Sequence, residues 1–206
     1  MNNFKKVQVY VFLFALFATI LNGCKKDEVA SENGVSSKLK STSSWTIGTS
    51  YQGGVIAYIL QSGDPGFDAS IQHGIIAATN DQSTGIKWSN SEIPKTTGAI
   101  ATALGTGNVN TNIIVSSLGG GSYAAKLCYD LVLNGYSDWY LPSKDELNKL
   151  YLNKASIGGF ASYYYWSSSE SNIYLAWGQD FRYGSQGIST KYSSSTDYKV
   201  RAIRAF

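Results

Sequence analysis

Few side chains in this 206-residue chain could perform chemistry, and their spacing does not assemble a catalytic set. His73 is the single histidine, so it cannot build a zinc site with Cys128 and the scattered acids. It could serve a Ser-His-Asp triad, but the sequence has no Gly-x-Ser-x-Gly turn to present such a serine. We expect a structural or surface role for His73, and a buried, inert thiol at Cys128 on the apolar face of its predicted helix. We predict no catalytic residues, no metal site and no cofactor.

The acidic and glycine-rich loops match no ligand-binding motif. Asp64, Asp68 and Asp81 lack the alternating Asp/Asn-Gly-Glu order of a calcium loop, and turn formation explains them better. A calcium ion held by backbone carbonyls stays open. The three glycines at residues 119–121 have no Gly-Lys-Ser/Thr after them, so we interpret them as a break between helices rather than a phosphate loop.

Aromatic side chains are the most suggestive feature for binding. Residues 163–183 combine many tyrosine and tryptophan rings with serine, asparagine, glutamine and glycine. Such mixtures suit binding because rigid, amphipathic rings give contact area at low entropic cost. One interpretation is an exposed platform for a glycan or a protein, formed by Tyr163, Tyr165, Tyr183 and Gln186. The other is a hydrophobic core, filled by Trp166, Trp177 and Phe181, because alternate strand residues face inward.

The net charge of +3 does not indicate a polyanion partner. Residues 45–206 hold 11 basic and 11 acidic residues, so the excess lies entirely in residues 1–44, and we predict no nucleic-acid partner. Lys199, Arg201 and Arg204 form the main basic concentration. We interpret them as ion-paired residues, with a small polyanion patch as the alternative.

The N-terminus has the organisation of an export signal. Lys5 and Lys6 precede an apolar run at residues 7–21, which at about 22 Å as a helix is shorter than the roughly 30 Å bilayer core. Leu21-Asn22-Gly23-Cys24 resembles the lipobox of bacterial lipoproteins. That resemblance implies a signal peptide at residues 1–23 and lipid attachment at Cys24, which anchors the protein to a membrane. An ordinary cleaved signal and an uncleaved anchor are the alternatives.

Residues 24–44 are predicted to be the lipidated cysteine and a disordered tether, because residues 29–44 lack the apolar surface to offset chain entropy. Lys25-Lys26-Asp27-Glu28 resembles the charged tag that follows the cysteine in lipoproteins exported to the outer face of the outer membrane, but it is equally typical of a solvated linker. We expect an exported protein, lipid-anchored to the bacterial outer membrane.

Residues 45–206 are predicted to form a single α+β domain. Buried strands are expected at residues 53–60 and 74–78, followed by a long irregular excursion at 80–110. Helices are expected at residues 113–118 and 123–133, and a capping box, Ser143-Lys144-Asp145-Glu146, predicts a third. The end of the chain reads as strands at 163–167, 174–183, 187–192 and 198–206, with a hairpin turn at 184–187.

Several landmarks of this domain resemble a known bacterial family. Residues 134–147, NGYSDWYLPSKDEL, resemble the W-x-L-P-(S/T)-x-x-E-L signature of the Lcl C-terminal type, the C-terminal domain of collagen-like surface adhesins. Later landmarks agree in order: YWSS at 165–168, AWGQDF at 176–181 and VRAIR at 200–204. The resemblance implies a C-type-lectin-like fold, with two to three helices packed on small antiparallel sheets. The paired catalytic cysteines of the related formylglycine-generating enzymes are missing from this sequence, so that activity is not carried over.

These observations favour a cell-envelope lipoprotein with a non-catalytic binding module, either adhesin-like or glycan-binding-like. A hydrolase acting on glycans or cell wall through a carboxylate pair is one alternative. A structural subunit of an outer-membrane assembly is another, and it would present a large apolar patch.

Overall fold

The computed structural model describes residues 45–91, 93–192 and 198–206. The predicted signal peptide, the lipid attachment at Cys24 and the tether at 24–44 lie outside the described residues.

Buried, β-branched and aromatic segments form two four-stranded sheets in the described part of the chain. The strands are β1 (Ser50–Tyr51), β2 (Gly54–Ile59), β3 (Gly74–Ala77), β4 (Tyr164–Glu170), β5 (Leu175–Asp180), β6 (Gln186–Thr190), β7 (Tyr198–Lys199) and β8 (Ile203–Ala205). The first sheet has the order β1-β2-β3-β8 and is antiparallel throughout. The second has the order β6-β5-β4-β7 and is antiparallel except for the parallel pair β4–β7.

Helices occupy the middle of the chain, between β3 and β4. They are α1 (Gly107–Leu118), α2 (Ala124–Tyr129), α3 (Lys144–Leu152) and α4 (Lys154–Ile157). The protein therefore has an α+β fold with mostly antiparallel sheets, as predicted. Within the described residues no helix is both long enough and apolar enough to cross a membrane.

The capping box of α3 is confirmed in detail. Ser143 Oγ accepts a hydrogen bond from the backbone N–H of Glu146 at 3.3 Å, and the Glu146 carboxylate accepts one from the backbone N–H of Ser143 at 2.7 Å.

Other helix boundaries differ from the prediction. Helix α1 begins at Gly107, before the predicted start at residue 113. Asn110, a residue type typical of helix caps, instead lies buried inside the helix and donates from its amide to the Ala101 carbonyl at 2.6 Å. Helix α2 ends at Tyr129, four residues early, because the chain then turns back so that Leu133 and Tyr136 pair in a bridge. Helix α4 was not predicted.

The core consists of two neighbouring clusters of buried side chains. One is centred on Trp88, Trp139 and Trp166, and the other on Leu147, Tyr165 and Phe181. The predicted excursion between β3 and α1 is irregular, but it supplies Trp88, whose indole N–H donates to the Ser167 carbonyl at 2.8 Å. This loop is therefore packed onto the second sheet.

Candidate ligand-binding surface

The most recognisable sequence landmarks lie in the interior and hold the fold together. Glu146, from the Leu-Pro motif, is fully buried and accepts hydrogen bonds from four donors. They are the backbone N–H groups of Ser143, Gly105 and Gly107 and the hydroxyl of Tyr140, at 2.7, 3.1, 3.1 and 3.3 Å. Burial raises the pKa of Glu146, and the backbone donors oppose that shift. One carboxylate thus joins the first turns of α1 and α3.

A second landmark, VRAIR, supplies two arginines that form ion pairs, as predicted. Lys199, also predicted to be ion-paired, donates to the Thr84 carbonyl at 3.3 Å instead. The buried Arg201 donates from Nε to Asp81 Oδ1 at 2.8 Å, and Asp81 Oδ2 accepts from the Tyr165 hydroxyl at 2.9 Å. Arg204 pairs with Asp138 of the Asp-Trp motif, with Nε 2.7 Å from Oδ1. These contacts join the C-terminal residues to loops more than sixty positions away in sequence.

Other potentially reactive groups are also occupied. Cys128 is buried, as predicted, and desolvation raises the pKa of its thiol far above the ordinary value, which disfavours the reactive thiolate. Lys191 and Glu170 form an ion pair with both side chains fully buried. His73 lies with Nδ1 3.3 Å from the terminal Phe206 carbonyl. In the part of the chain that the structure describes, no group of three or more His, Cys, Asp or Glu residues could hold a metal.

Exposed aromatic rings gather at one end of the second sheet. We define the aromatic rim as Tyr163, Tyr164, Arg182, Tyr183 and Lys199. Tyr183 is 81% exposed and Tyr163 is 48% exposed. The backbone N–H of Phe181 donates to the Tyr163 carbonyl at 2.9 Å, which places the start of β4 beside the β5–β6 turn.

Cations link the rings of the aromatic rim. The Arg182 guanidinium lies 4.7 Å from the Tyr164 ring centre and 5.5 Å from that of Tyr183. The Lys199 ammonium lies 5.2 Å from the Tyr163 ring centre. Contacts between a cation and an aromatic face are worth about 0.5–1 kcal/mol at exposed sites, so each link is modest but directional.

Asp180 fixes the position of Arg182. Its carboxylate accepts from Nη2 at 2.8 Å and from Nε at 3.0 Å, and Oδ1 also accepts from the Arg182 backbone N–H at 2.8 Å. These hydrogen bonds from Arg182 lower the pKa of Asp180 to about 2. The guanidinium is therefore held in one orientation, with about a third of its side chain still open to solvent.

The four residues predicted to bind ligand differ in their exposure to solvent. Tyr163 and Tyr183 are exposed on the aromatic rim. Tyr165 is fully buried, because its place in β4 points it into the core beside Phe181 and Asp81, so the prediction that it is an exposed platform residue is wrong. Gln186 is partly buried, and its side-chain amide donates to the Lys144 carbonyl at 2.8 Å.

Tyr163 precedes β4 and stays exposed, whereas Tyr165 lies inside β4, where both faces are covered. Strand alternation accounts for Tyr164, a rim member that the sequence analysis did not select. Tyr164 follows Tyr163 and projects to the other face of the sheet, where its ring stacks on Tyr198 at 5.2 Å. Arg182 was not predicted, although it follows Asp180 by two residues and precedes Tyr183. That spacing allows a carboxylate and a ring to hold its guanidinium. Trp166 and Phe181 are buried as the core interpretation predicted, whereas Trp177 is only partly buried.

Of the clefts that the described residues form away from the aromatic rim, two are lined by carboxylates. One, of about 460 Å³, is lined by Asp81, Lys126 and Asp130 with neighbouring residues. Both of its carboxylates are ion-paired, Asp81 with Arg201 and Asp130 with Lys126. The other, of about 270 Å³, is lined mainly by polar residues, among them Asn108 and Asn112.

Comparison with known proteins agrees with the landmark residues. Residues 77–204 match the model of the Lcl C-terminal domain family. That match covers more than half of the chain, so the chain belongs to this family. No curated protein sequence matches the chain.

Proposed function

We propose that this member of the Lcl C-terminal domain family is a cell-envelope lipoprotein whose domain binds a glycan through the aromatic rim. The observation that carries the proposal is one immobilised arginine, Arg182, lying against the ring of the exposed Tyr183 and that of the partly buried Tyr164. The exposed Tyr163 lies beside Lys199 on the same rim. Tyrosine rings present an apolar face with a polar edge, and the C–H faces of sugar rings pack against such surfaces. The Arg182 guanidinium supplies hydrogen-bond donors to hydroxyl or acidic oxygens.

The low cost of ordering the rim supports binding. Arg182 is already held by Asp180 and by the faces of Tyr164 and Tyr183, so a ligand need not immobilise a long side chain. Ordering a flexible side chain at an interface costs about 0.5–1.5 kcal/mol, and pre-organisation avoids that cost.

The envelope location rests on the sequence. We infer that Cys24 carries the lipid, because it follows a basic, apolar signal and ends a lipobox-like tetrapeptide. Each acyl CH₂ buried in a bilayer contributes about 0.8 kcal/mol, so a multiply acylated cysteine would anchor the protein stably. The aromatic rim would then act at the envelope as an adhesin-like binding surface.

A glycan array tests the binding proposal. The full chain, purified in detergent, is applied beside Tyr183→Ala, which removes the most exposed ring of the rim. Tyr129→Ala is the matched control, since Tyr129 is 46% exposed on α2, outside the rim. The wild type and the control should bind the same glycans, and the rim variant should lose that signal.

Two results would count against glycan binding. If the folded wild type binds nothing on the array, the glycan-binding proposal is wrong. If Tyr129→Ala loses as much glycan signal as Tyr183→Ala, the rim is not the binding surface. Capture of an envelope protein that depends on Tyr183 would instead favour a protein ligand at the same rim.

A glycan hydrolase is the second candidate, because Asp81 and Asp130 line one cleft. Glycosidases use a carboxylate pair, but one member must donate a proton, whereas here each is already engaged by a cation. Release of reducing sugar ends that disappears in Asp130→Asn would establish the hydrolase. Unchanged polysaccharide after prolonged incubation would remove it.

A further inference from the structure

Strand β6 forms one edge of the second sheet, and a row of its backbone groups has no hydrogen-bond partner among the described residues. In the β5–β6 pair, Lys191 N–H donates to the Tyr174 carbonyl and Asp180 N–H donates to the Ser185 carbonyl, both at 2.9 Å. Hydrogen-bonded positions alternate along an antiparallel pair. The N–H and C=O groups of Gln186, Ile188 and Thr190 therefore point away from β5, and no described residue bonds to them.

The other sheet edges in the described residues are short or covered. Strands β1 and β7 have two residues each, and the residues beside β7 bond to the loop after β3 through Ser83 and Gln82. Strand β8 is covered by Tyr140, which exchanges backbone hydrogen bonds with Ile203 at 2.8 and 3.0 Å.

Strand β6 lacks the features that keep sheet edges from pairing. Its sequence, QGIST, has no charge and no proline, and its register with β5 is unbroken by a bulge. Ile188, at its centre, is 48% exposed. Edge strands with these properties are templates for another strand.

We propose that β6 pairs with β6 of a second copy of this chain, antiparallel and about a two-fold axis through Ile188. Only this register matches all the free groups: Ile188 lies opposite Ile188 of the other copy, and Gln186 lies opposite Thr190. Every outward N–H then meets an outward C=O, and the two sheets join into one.

Self-pairing suits this strand better than pairing with an unrelated one. An isologous contact brings identical residues together, so a charged edge would place like charges in opposition, whereas this strand is uncharged. The pairing also removes Ile188 from water by packing it on its own counterpart. The exposed Tyr183 at one end of the edge and Tyr174 at the other are brought towards each other across the two copies.

The expected dimer is reversible. A five-residue edge buries much less than the about 800 Å² per partner of a standard stable interface. A cross-link that traps the pair is therefore a better measurement than elution volume. The inference does not depend on the proposed glycan binding.

Single cysteine substitutions test both the pairing and its register. Residues in a hydrogen-bonded antiparallel pair have Cα atoms about 5.5 Å apart, within disulfide range, so Ile188→Cys should form a covalent dimer in the concentrated full chain under oxidised glutathione. Thr190→Cys is the control on the same exposed strand, because the two Thr190 positions would lie about 13 Å apart. The wild type measures background from Cys24 and the buried Cys128.

Mixing Gln186→Cys with Thr190→Cys should give a cross-linked heterodimer that Thr190→Cys alone does not give. Adding Ile188→Pro to both partners removes an outward N–H without touching the bonds to β5, and it should lower that yield at least fivefold while circular dichroism stays unchanged. Equal yields of covalent dimer from Ile188→Cys and Thr190→Cys would mean random collision and would overturn the proposal. No Ile188→Cys dimer above the wild-type background would overturn it as well.

Discussion

Glu146 shows how a single buried side chain of a family motif can hold two segments together. Its carboxylate is buried and receives hydrogen bonds from three backbone N–H groups and a tyrosine hydroxyl. Gly107 leaves no room for a side chain beside it, because an added Cβ would overlap the Glu146 carboxylate and the Leu141 carbonyl. The motif therefore forms a junction between two helix starts, away from the aromatic rim.

Replacing Glu146 should destabilise the domain strongly. Glu146→Ala leaves the buried N–H groups of Ser143 and Gly107 without acceptors, and each unsatisfied buried group costs about 1–3 kcal/mol, so we expect a loss of about 3 kcal/mol in unfolding free energy. Urea denaturation measures it. Asp145→Ala, one residue earlier in the same helical turn, should cost less than about 1 kcal/mol. Equal effects of the two substitutions would contradict the role given to Glu146.

Asp180 should make the rim sensitive to acid. Its pKa is about 2 in the folded protein and near 3.8 ordinarily, so the folded state favours the ionised form. This stabilisation is fully present above the ordinary pKa and is lost as the pH falls towards about 2. The difference in unfolding free energy between wild type and Asp180→Asn should narrow from about pH 5 to about pH 2. A difference that is constant or grows over that interval would show that Arg182 does not hold the carboxylate.

At the scale of elements, buried polar pairs join segments that the chain order keeps far apart. Arg201, just before β8, pairs with Asp81 in the loop after β3, and its guanidinium also donates to the carbonyls of Ala78 and Gly159. Arg204, inside β8, pairs with Asp138 before α3. The C-terminal segment thus anchors loops from both halves of the domain.

The two arginine pairs should differ in energy because they differ in burial. Asp81→Ala leaves the fully buried Arg201 guanidinium without its carboxylate partner and should lower the unfolding free energy by about 3–5 kcal/mol. Asp138→Ala should cost about 1 kcal/mol, since that carboxylate is half exposed and water can replace it. Thermal and urea unfolding of the two variants gives the comparison. Similar costs would mean that burial does not separate the pairs.

Local chemistry predicted some elements well and others poorly. The α3 cap was predictable because Ser143 and Glu146 satisfy each other's backbone within one turn. The start of α1 was not predictable, because Asn110 is a residue type that commonly caps helices, yet here it lies buried within α1 and donates to the Ala101 carbonyl. Alternation along β4 placed Trp166 in the core, yet Tyr165 is buried as well, since both faces of that strand are covered. Coverage of the second face depends on distant loops, which no local pattern encodes.

At the scale of the whole molecule, the proposed anchor and the binding domain can be tested separately. Cys24→Ser should move the protein from the membrane fraction to a soluble fraction, because it removes the site of acylation. Cell fractionation with immunoblotting measures this. Unchanged membrane association would show that Cys24 is not the lipid attachment site, without affecting the case for the aromatic rim.

The aromatic rim, with the exposed Tyr183 beside a fixed Arg182, is the proposed glycan-binding surface. The most direct test is the ratio of glycan-array signals between Tyr183→Ala and Tyr129→Ala, measured on full chains that have equal unfolding midpoints. Removing an aromatic side chain on which a nucleic-acid base stacks costs about 1–3 kcal/mol of binding free energy. We take that value as the guide for a sugar ring packed on Tyr183. We predict a signal at least fivefold lower for Tyr183→Ala, with the control equal to wild type. Equal signals for the two variants, or no glycan bound by the wild type, would contradict the account.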